Sequence, residues 1–176
     1  MLQAEEELLV LAAQRGNHKA FSVLFKHHQQ ALVRFAYKLS HNQDIAQEAT
    51  QDTWIQSAKN LHKLTDPRAF KSWLYRLARW RTLDMLKRQS RQQAYIDDDA
   101  DEQALAEQCD AKSTDPQPIR DAIERLPAIE KQMIHLFYLD ELSVAEIGIV
   151  LEIPTGTVKS RLNRARSLLK EKYRSE

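Results

Sequence analysis

Apolar residues recur every three or four positions along most of this 176-residue chain, which is the spacing of one face of an α-helix. The first long stripe covers residues 21–39 and predicts a single amphipathic helix. Gly16 ends a shorter helix before it, and Asn17 is placed to cap the new one. A further helix is predicted from about residue 44 to 61, after a break at residues 40–42.

A fourth helix is predicted after Thr65, with Asp66 as its N-cap and Pro67 at its first position. Its apolar stripe starts at Phe70 and leads toward Arg91. After residue 118 the helical pattern returns, in two short stripes before residue 138. Helices therefore account for both ends of the chain.

Charge divides the chain into three parts. The net charge is +6 over residues 1–90, −6 over residues 91–118 and +1 over residues 119–176. The middle part contains runs of Asp and two prolines, and it has few large apolar residues. We therefore predict an all-α protein with two small helical domains, 1–91 and 119–176, joined by an acidic flexible linker at 92–118.

The C-terminal domain carries the pattern of a helix-turn-helix. Ser143 and Glu146 form a capping box at the start of one helix. Pro154 ends the short turn that follows, because proline cannot continue a helix. Thr155 is then predicted to cap a second, basic helix that reaches about Tyr173. Two short helices with a tight turn and a basic second helix are typical of DNA-binding proteins.

At about 100° per residue, that second helix separates into two faces. Its apolar residues fall on one inward stripe: Val158, Leu162, Ala165 and Leu169. Ser160, Asn163 and Ser167 fall opposite, with Lys159 and Arg164 beside them, where side chains could reach base edges. Arg161 and Arg166 flank the stripe and suit phosphates. The alternative is a solvated basic helix that binds nothing.

Several classes of function are disfavoured by what the sequence lacks. No apolar run approaches the roughly 20 residues of a membrane span, and acids stand near the N-terminus, so we expect a cytoplasmic protein. Cys109 is alone, so it offers no Cys-based zinc site and no disulfide. No nucleophile with a base, phosphate loop or metal-ligand spacing is present, and we predict neither an enzyme nor a cofactor.

Three segments resemble a known family. Residues 153–166, Ile-Pro-Thr-Gly-Thr-Val-Lys-Ser-Arg-Leu-Asn-Arg-Ala-Arg, closely resemble the promoter-reading helix of extracytoplasmic-function (ECF) sigma factors of the sigma-70 family. Residues 48–54 resemble the polymerase-binding helix of that family, and residues 72–79 resemble its promoter-melting helix. The matches occur in the family's order across about residues 8–172, and the acidic linker stands where the family has its connector.

The resemblance implies a transcription initiation factor that directs core RNA polymerase to promoters. Its implied partners are the polymerase clamp coiled coil and β-flap, promoter DNA, and an anti-sigma factor, with no membrane insertion of its own. The minus-thirty-five element would be contacted by Thr157, Lys159, Ser160, Arg161, Asn163, Arg164 and Arg166. The minus-ten element would be contacted by Lys63, Leu64, Asp66, Lys71, Arg76, Arg79 and Trp80. The clamp would be contacted by Glu48, Gln51 and Asp52.

Each assignment has a plainer alternative. The acidic positions on the second long helix could be an ordinary solvated face, and Trp73 could be a core residue because it shares a stripe with Phe70. The linker acids could imitate RNA in the polymerase exit path, or they could form a simple spacer. For the whole chain, the alternative is a free-standing helix-turn-helix regulator, which would usually bind DNA as a dimer.

Overall fold

The computed structural model describes residues 1–96 and 122–174. Seven α-helices lie wholly within these ranges, residues 122–124 are also helical, and the described residues contain no strand, which confirms the predicted all-α class. The helices are α1 (Gln3–Gln14), α2 (His18–Ser40), α3 (Gln43–Asn60), α4 (Phe70–Ile96), α5 (Ala128–Ile134), α6 (Val144–Leu151) and α7 (Thr155–Arg174). Two 3₁₀ turns, Leu61–Lys63 and Pro67–Ala69, link α3 to α4, and a π-helical turn, His135–Leu139, follows α5.

Short polar residues define where the first helices begin. Gly16 has a φ of +88°, and the side chain of Asn17 accepts a hydrogen bond from the Ala20 amide, so α2 starts where the sequence predicts. Asn42 caps α3 in the same way, by accepting from the amides of Asp44 and Ile45. These caps satisfy amides that have no partner inside their helices.

The start of α4 differs in detail from the prediction. Asp66 accepts a hydrogen bond from the Arg68 amide, but the turn that it caps is 3₁₀, and α-helical bonding begins at Phe70. The helix then continues to Ile96, five residues past the predicted boundary at residue 91. Residues 89–96 contain no Gly or Pro that would stop it. Residues 97–121, which hold most of the predicted acidic linker, lie outside the described residues.

The N-terminal core forms where α2, α3 and α4 pack together. Leu24, Leu32, Phe70 and Leu74 are fully buried there, and each large apolar side chain removed from water contributes about 1.5–3 kcal/mol. The ring of Trp54 meets Phe21 and Phe25 edge-on, with centroids 5.7 and 5.1 Å apart. This core fixes the exposed faces of α3 and α4 relative to each other.

Polar contacts attach α1 to this core. The side-chain amide of Gln14 donates to the carbonyl oxygens of Leu61 (2.9 Å) and Leu64 (2.7 Å). Near the other end of α1, Glu6 pairs with the buried ring of His28. Burial opposes ionisation of Glu6, but the hydrogen bond and charge of His28 keep the pKa of that carboxyl below its ordinary value.

The helix-turn-helix is formed by α6 and α7. The predicted capping box is present, since Ser143 accepts from the Glu146 amide (3.2 Å) and the Glu146 carboxylate accepts from the Ser143 amide (2.7 Å). After α6 the chain turns at Glu152, in the left-handed region with φ +57°. A Cβ on Gly148 would lie 3.0 Å from the Ile153 carbonyl oxygen, so a side chain there would displace that carbonyl by a few tenths of an ångström.

One predicted cap is wrong. The carbonyl of Pro154 accepts the first helical hydrogen bond of α7, from the Val158 amide at 3.1 Å. Thr155 is therefore the first residue of α7, and Pro154 precedes the helix as its N-terminal flanking residue. The exposed side of α7 is unaffected by this shift.

Candidate nucleic-acid interfaces

The two faces of α7 lie as its periodicity predicts. Val158, Leu162 and Ala165 are buried against the rest of the C-terminal domain. Lys159, Ser160, Asn163 and Arg164 are exposed on the other side, and Thr157 and Arg161 are half-buried between the two faces. A row of cations, a hydroxyl and an amide is thus presented to solvent, with functional groups that match base edges and phosphates.

Arg166 is held by aromatic residues that the sequence analysis did not single out. Its Nε donates to the Tyr138 hydroxyl at 3.0 Å, and its guanidinium carbon lies 5.4 Å from the ring centre of Phe137 and 5.8 Å from that of Tyr138. Nη1 also donates to the side-chain oxygen of Asn163, at 3.4 Å. The position of Tyr138 in a π-helical turn gives no periodic signal that could have identified it.

A second site lies where α3, the 3₁₀ turn after it and α4 meet. A cavity of about 450 Å³ opens there, a size within the usual range of small-ligand sites. It brings together three of the predicted minus-ten residues, Lys63, Leu64 and Arg76. The side-chain amides of Gln56 and Asn60 and the half-buried ring of Trp73 complete its lining, with Thr65 and Leu77. The site combines cations, amides and an aromatic wall.

Asp66 lies beside this site but is engaged locally. Its carboxylate accepts three hydrogen bonds from Arg68, from the backbone amide, Nε and Nη2, each at 3.0 Å. These hydrogen bonds and the charge of Arg68 hold the pKa of Asp66 below its ordinary value. The structure therefore gives Asp66 a role in shaping the start of α4, and its side chain is not among those that line the cavity.

Further along α4, the remaining predicted residues differ in exposure. Trp80 is 56% exposed and lies 4.7 Å from the guanidinium carbon of Arg81. The Nε of Arg79 is buried and has no hydrogen-bond acceptor among the described residues. Lys71 donates from Nζ to the carbonyl oxygen of Asp140, at 2.5 Å, so it contacts the C-terminal domain rather than facing the cavity.

The predicted polymerase-binding residues lie on the outer face of α3. Glu48 and Gln51 are exposed and Asp52 is half-buried, whereas Ala49, Thr53 and Trp54 face the core. Ile55, one turn further along this outer face, is 43% exposed. Ile55 was not predicted from the sequence, although its spacing of seven from Glu48 puts it on the same stripe.

The two helical domains contact each other through α4 and α6 and through the turn before α6. The hydroxyl of Tyr75 donates to the carboxylate of Asp140 at 3.1 Å. Burial raises the pKa of Tyr75 well above its ordinary range, and the negative charge of Asp140 adds to the effect, so the phenol stays a donor. Nearby, Nζ of Lys38 donates to Nε2 of His135 at 3.3 Å.

Comparison with known proteins identifies the family. The profile described as Sigma-70 region 2 matches residues 24–92, which contain the cavity and the outer face of α3. The profile described as Sigma-70 region 4 matches residues 117–169, which contain the helix-turn-helix. The chain belongs to the sigma-70 family, in its ECF group of RNA polymerase sigma factors.

The sequences of individual relatives align with most of this chain. The ECF RNA polymerase sigma factor SigW of Bacillus subtilis is 29% identical over 173 residues, which cover 91% of this chain and 92% of SigW. The ECF sigma factor SigE of Mycolicibacterium smegmatis is 32% identical over 161 residues, covering 84% of this chain and 59% of SigE. The sigma-H factor of Pseudomonas aeruginosa is 28% identical over 181 residues, which cover 96% of this chain and 94% of sigma-H.

Solved structures share the fold. CnrH in complex with the cytosolic domain of CnrY superposes with a TM-score of 0.68, at 22% identity over 98% of this chain and 99% of CnrH. The sigma factor RpoE of Bartonella quintana, in complex with the anti-sigma factor NepR, also has a TM-score of 0.68, at 25% identity over 89% of this chain and 98% of RpoE. Both are described as complexes with a second protein.

Other kinds of site are not found in the part of the chain that the structure describes. No group of three His, Cys, Asp or Glu side chains in residues 1–96 and 122–174 could hold a metal ion. Over the same described residues, no helix is long and apolar enough to cross a membrane. Cys109 lies outside those residues.

Proposed function

We propose that this ECF sigma factor recognises promoters at two separate surfaces and joins them to core RNA polymerase through a third. The observation that carries the proposal is the exposed row of Lys159, Ser160, Asn163 and Arg164 on a capped helix-turn-helix. The same chain also carries the cavity at the start of α4. One surface suits duplex DNA and the other suits an unpaired base.

The C-terminal surface would read the minus-thirty-five element. An α-helix fits the major groove of B-DNA, where each base pair presents its own pattern of donors and acceptors. Asn163, Ser160 and Lys159 are exposed on the outer side of α7 and would contact those edges. Thr157, Arg161, Arg164 and Arg166 would contact the backbone and fix the register, although Arg164 also borders the base-reading face.

The N-terminal surface would bind the minus-ten element as single-stranded DNA. Proteins hold unpaired strands by stacking bases on aromatic rings and by tracking phosphates with cations. In the cavity, Trp73 provides an aromatic wall, and the amides of Gln56 and Asn60 could bond a base edge. Lys63, Arg76 and Trp80 are exposed and would contact the strand. Capture of an unpaired base stabilises the open duplex.

The outer face of α3 would bind the polymerase clamp. Glu48, Gln51 and Asp52 provide polar and acidic groups, and Ile55 provides an exposed apolar contact among them. A mixed face of this kind suits a basic helical partner, since charge steers association and apolar contact strengthens it. The C-terminal domain would contact the β-flap. These assignments follow from the family resemblance and from exposure.

The same family membership extends the proposal to organisation, location and control. The domains would be residues 1–91 and 119–176 with an acidic linker at 92–118, a division supported by the charge pattern. The chain would act in the cytoplasm as a non-catalytic subunit, and an anti-sigma factor would restrain it. Support for the last point comes from one structural relative, the sigma factor RpoE of Bartonella quintana, which is described as a complex with the anti-sigma factor NepR.

In vitro transcription tests the function directly. The full chain is added to purified core RNA polymerase, and genomic fragments are screened for transcripts that need both. We expect specific start sites, each preceded by two conserved elements. If the chain instead binds duplex DNA as a dimer and core polymerase gains no activity from it, the free-standing regulator is the correct class.

A further inference from the structure

Tyr138 precedes the helix-turn-helix in the chain, but its hydroxyl contacts α7. The residue lies in the π-helical turn His135–Leu139, and its hydroxyl accepts a hydrogen bond from Nε of Arg166 at 3.0 Å. The guanidinium carbon of Arg166 lies 5.8 Å from the ring centre of Tyr138 and 5.4 Å from that of Phe137. One hydroxyl and two aromatic rings therefore hold this arginine.

The two rings differ in depth. Phe137 is half-buried and packs against the hydrophobic core, whereas Tyr138 is 53% exposed. Their ring centres are 4.9 Å apart and the rings meet edge-on, at 78°, which is a favourable arrangement for an aromatic pair. The anchored ring of Phe137 supports the exposed ring of Tyr138. The hydroxyl of Tyr138 is thus held at the surface of the domain by the core beneath it.

The contact with Tyr138 does more for the order of Arg166 than for the stability of the fold. Half of the tyrosine ring stays in water, and a hydrogen bond at the surface replaces one that water would make. A free arginine side chain, in contrast, samples many rotamers and must lose that freedom when it binds a ligand. An arginine that is already held loses less, so it binds more tightly.

The group that holds Arg166 carries no charge. A phenol hydroxyl accepts the hydrogen bond, and none of the ion pairs among the described residues includes Arg166. Nη1 donates to the side-chain oxygen of Asn163 at 3.4 Å, and Nη2 has no acceptor among the described residues. The positive charge is therefore not neutralised, and a phosphate can bind the guanidinium without displacing a carboxylate.

We propose that Tyr138 is a positioning residue of the surface on α7 and holds the Arg166 guanidinium in place for a DNA phosphate. The inference rests on the proposed function for the identity of the ligand, whereas the contact itself belongs to the free chain. Tyr138 acts through Arg166, and a phosphate contact carries no sequence information. Loss of the hydroxyl should therefore weaken binding to every duplex alike.

A double-mutant cycle in the full chain tests this role. Tyr138→Phe removes the hydroxyl and keeps the ring, Arg166→Ala removes the guanidinium, and the double variant combines the two changes. Tyr37→Phe is the matched control, because it removes the same atom from a tyrosine on α2 that is 38% exposed. Affinity is measured by fluorescence anisotropy, over a range of salt, for a duplex selected from random DNA and for an unrelated duplex of equal length. Without DNA, ¹⁵N relaxation reports the mobility of Arg166 Nε.

The expected result is that Tyr138→Phe weakens binding to both duplexes about three- to tenfold, while Tyr37→Phe changes neither. In the Arg166→Ala background, loss of the hydroxyl should change affinity by less than about twofold, because its effect passes through the arginine. The salt dependence of Tyr138→Phe should fall toward that of Arg166→Ala, since a phosphate contact is weakened. Nε of Arg166 should be more mobile in Tyr138→Phe than in wild type.

Two results would overturn the proposal: unchanged affinity in Tyr138→Phe, or an equal loss with and without Arg166, which would mean that Tyr138 contacts DNA independently. Tyr138→Phe should melt like wild type, because the ring is exposed. If Arg166→Ala does not melt cooperatively, Arg166→Met keeps the apolar stem and takes its place in the cycle. If wild type binds neither duplex, the proposed function of α7 fails and the inference falls with it. Relaxation then shows separately whether Tyr138 orders Arg166.

Discussion

Lys38 on α2 donates from Nζ to Nε2 of His135, 3.3 Å away in the C-terminal domain. The acceptor role requires an imidazole that is neutral at this nitrogen, because a protonated ring has no free lone pair. Burial first, and then the charge of Lys38, lower the pKa of His135 to about 4. Glu124 raises this pKa and Lys131 lowers it, so both charges from the same domain also act on the ring.

Acid should therefore weaken the native structure through His135. The folded pKa of about 4 is below the ordinary value of 6.5, so the stabilisation is complete above pH 6.5 and is lost as the pH falls toward 4. Urea unfolding should show that wild type loses more stability across this window than His135→Gln, which keeps an acceptor that does not titrate. Burial raises the pKa of Asp140, so this residue adds stability as the pH falls. Because both proteins contain Asp140, its effect cancels in the comparison. Parallel pH profiles would contradict the role of His135.

Substitutions on α7 should separate reading of bases from binding of the backbone. Asn163→Ala should relax preference at one base pair of the minus-thirty-five element, at a cost of about 1–3 kcal/mol. Arg166→Ala should lower affinity for all sequences and reduce the salt dependence by about one unit. Selection from random duplexes measures the first effect, and salt titration measures the second. A change in selected bases with Arg166→Ala alone would mean that the two residues have been assigned the wrong way round.

Charge reversal on α3 should weaken binding to core polymerase. Asp52→Lys removes a predicted contact with the clamp and should cost about 1–3 kcal/mol if the charge is paired at the interface. Ile55→Ser should also reduce affinity, through loss of apolar contact. Glu5→Lys, an equal charge change at an exposed position on α1, serves as control. Affinity for core polymerase is measured by competition binding. If Asp52→Lys and the control bind core equally well, α3 is not part of the interface.

The exposed ring of Trp80 should stack on a base of the minus-ten strand. Trp80→Ala should lower strand affinity by about 1–3 kcal/mol, whereas Trp80→Phe should retain most of it. Thermal unfolding should change little, because the ring is 56% exposed and lies outside the core. Fluorescence anisotropy with labelled strand makes the measurement. Full affinity in Trp80→Ala would place the strand elsewhere on α4.

The acidic linker is predicted from sequence alone, since its residues lie outside those described. If its acids imitate RNA in the exit path, replacing five of them with Ser should alter initiation or promoter escape more than promoter binding. The positions are Asp97, Asp98, Asp99, Asp101 and Glu102. Abortive and full-length transcripts are quantified on one promoter. Transcription identical to wild type would leave the linker as a spacer.

Local rules account for the features that the sequence predicted correctly. The caps at Asn17 and Ser143 and the sorted faces of α7 depend on residues within a few positions of each other. Thr155 was assigned wrongly because threonine suits both a cap and the first helical position, and only the Pro154 carbonyl bond distinguishes them. The extension of α4 to Ile96 was missed because composition, not periodicity, set the predicted boundary.

Contacts between distant residues account for what the sequence did not predict. Tyr75 and Asp140 are 65 positions apart, and Lys38 and His135 are 97 apart. Neither pair produces a spacing that periodicity can detect. The pairing of Glu6 with His28 across α1 and α2 was hidden for the same reason.

The construction of the turn between α6 and α7 bears on how such proteins diverge. Gly148 and Glu152, whose backbone lies at the turn, both precede α7. Lys159 and the outward residues that follow it have no part in that geometry. Duplicated copies can therefore acquire new promoter preferences by a few changes on α7 at little cost in foldability. A regulatory network can gain separate branches by this route while each new sigma factor keeps the same scaffold.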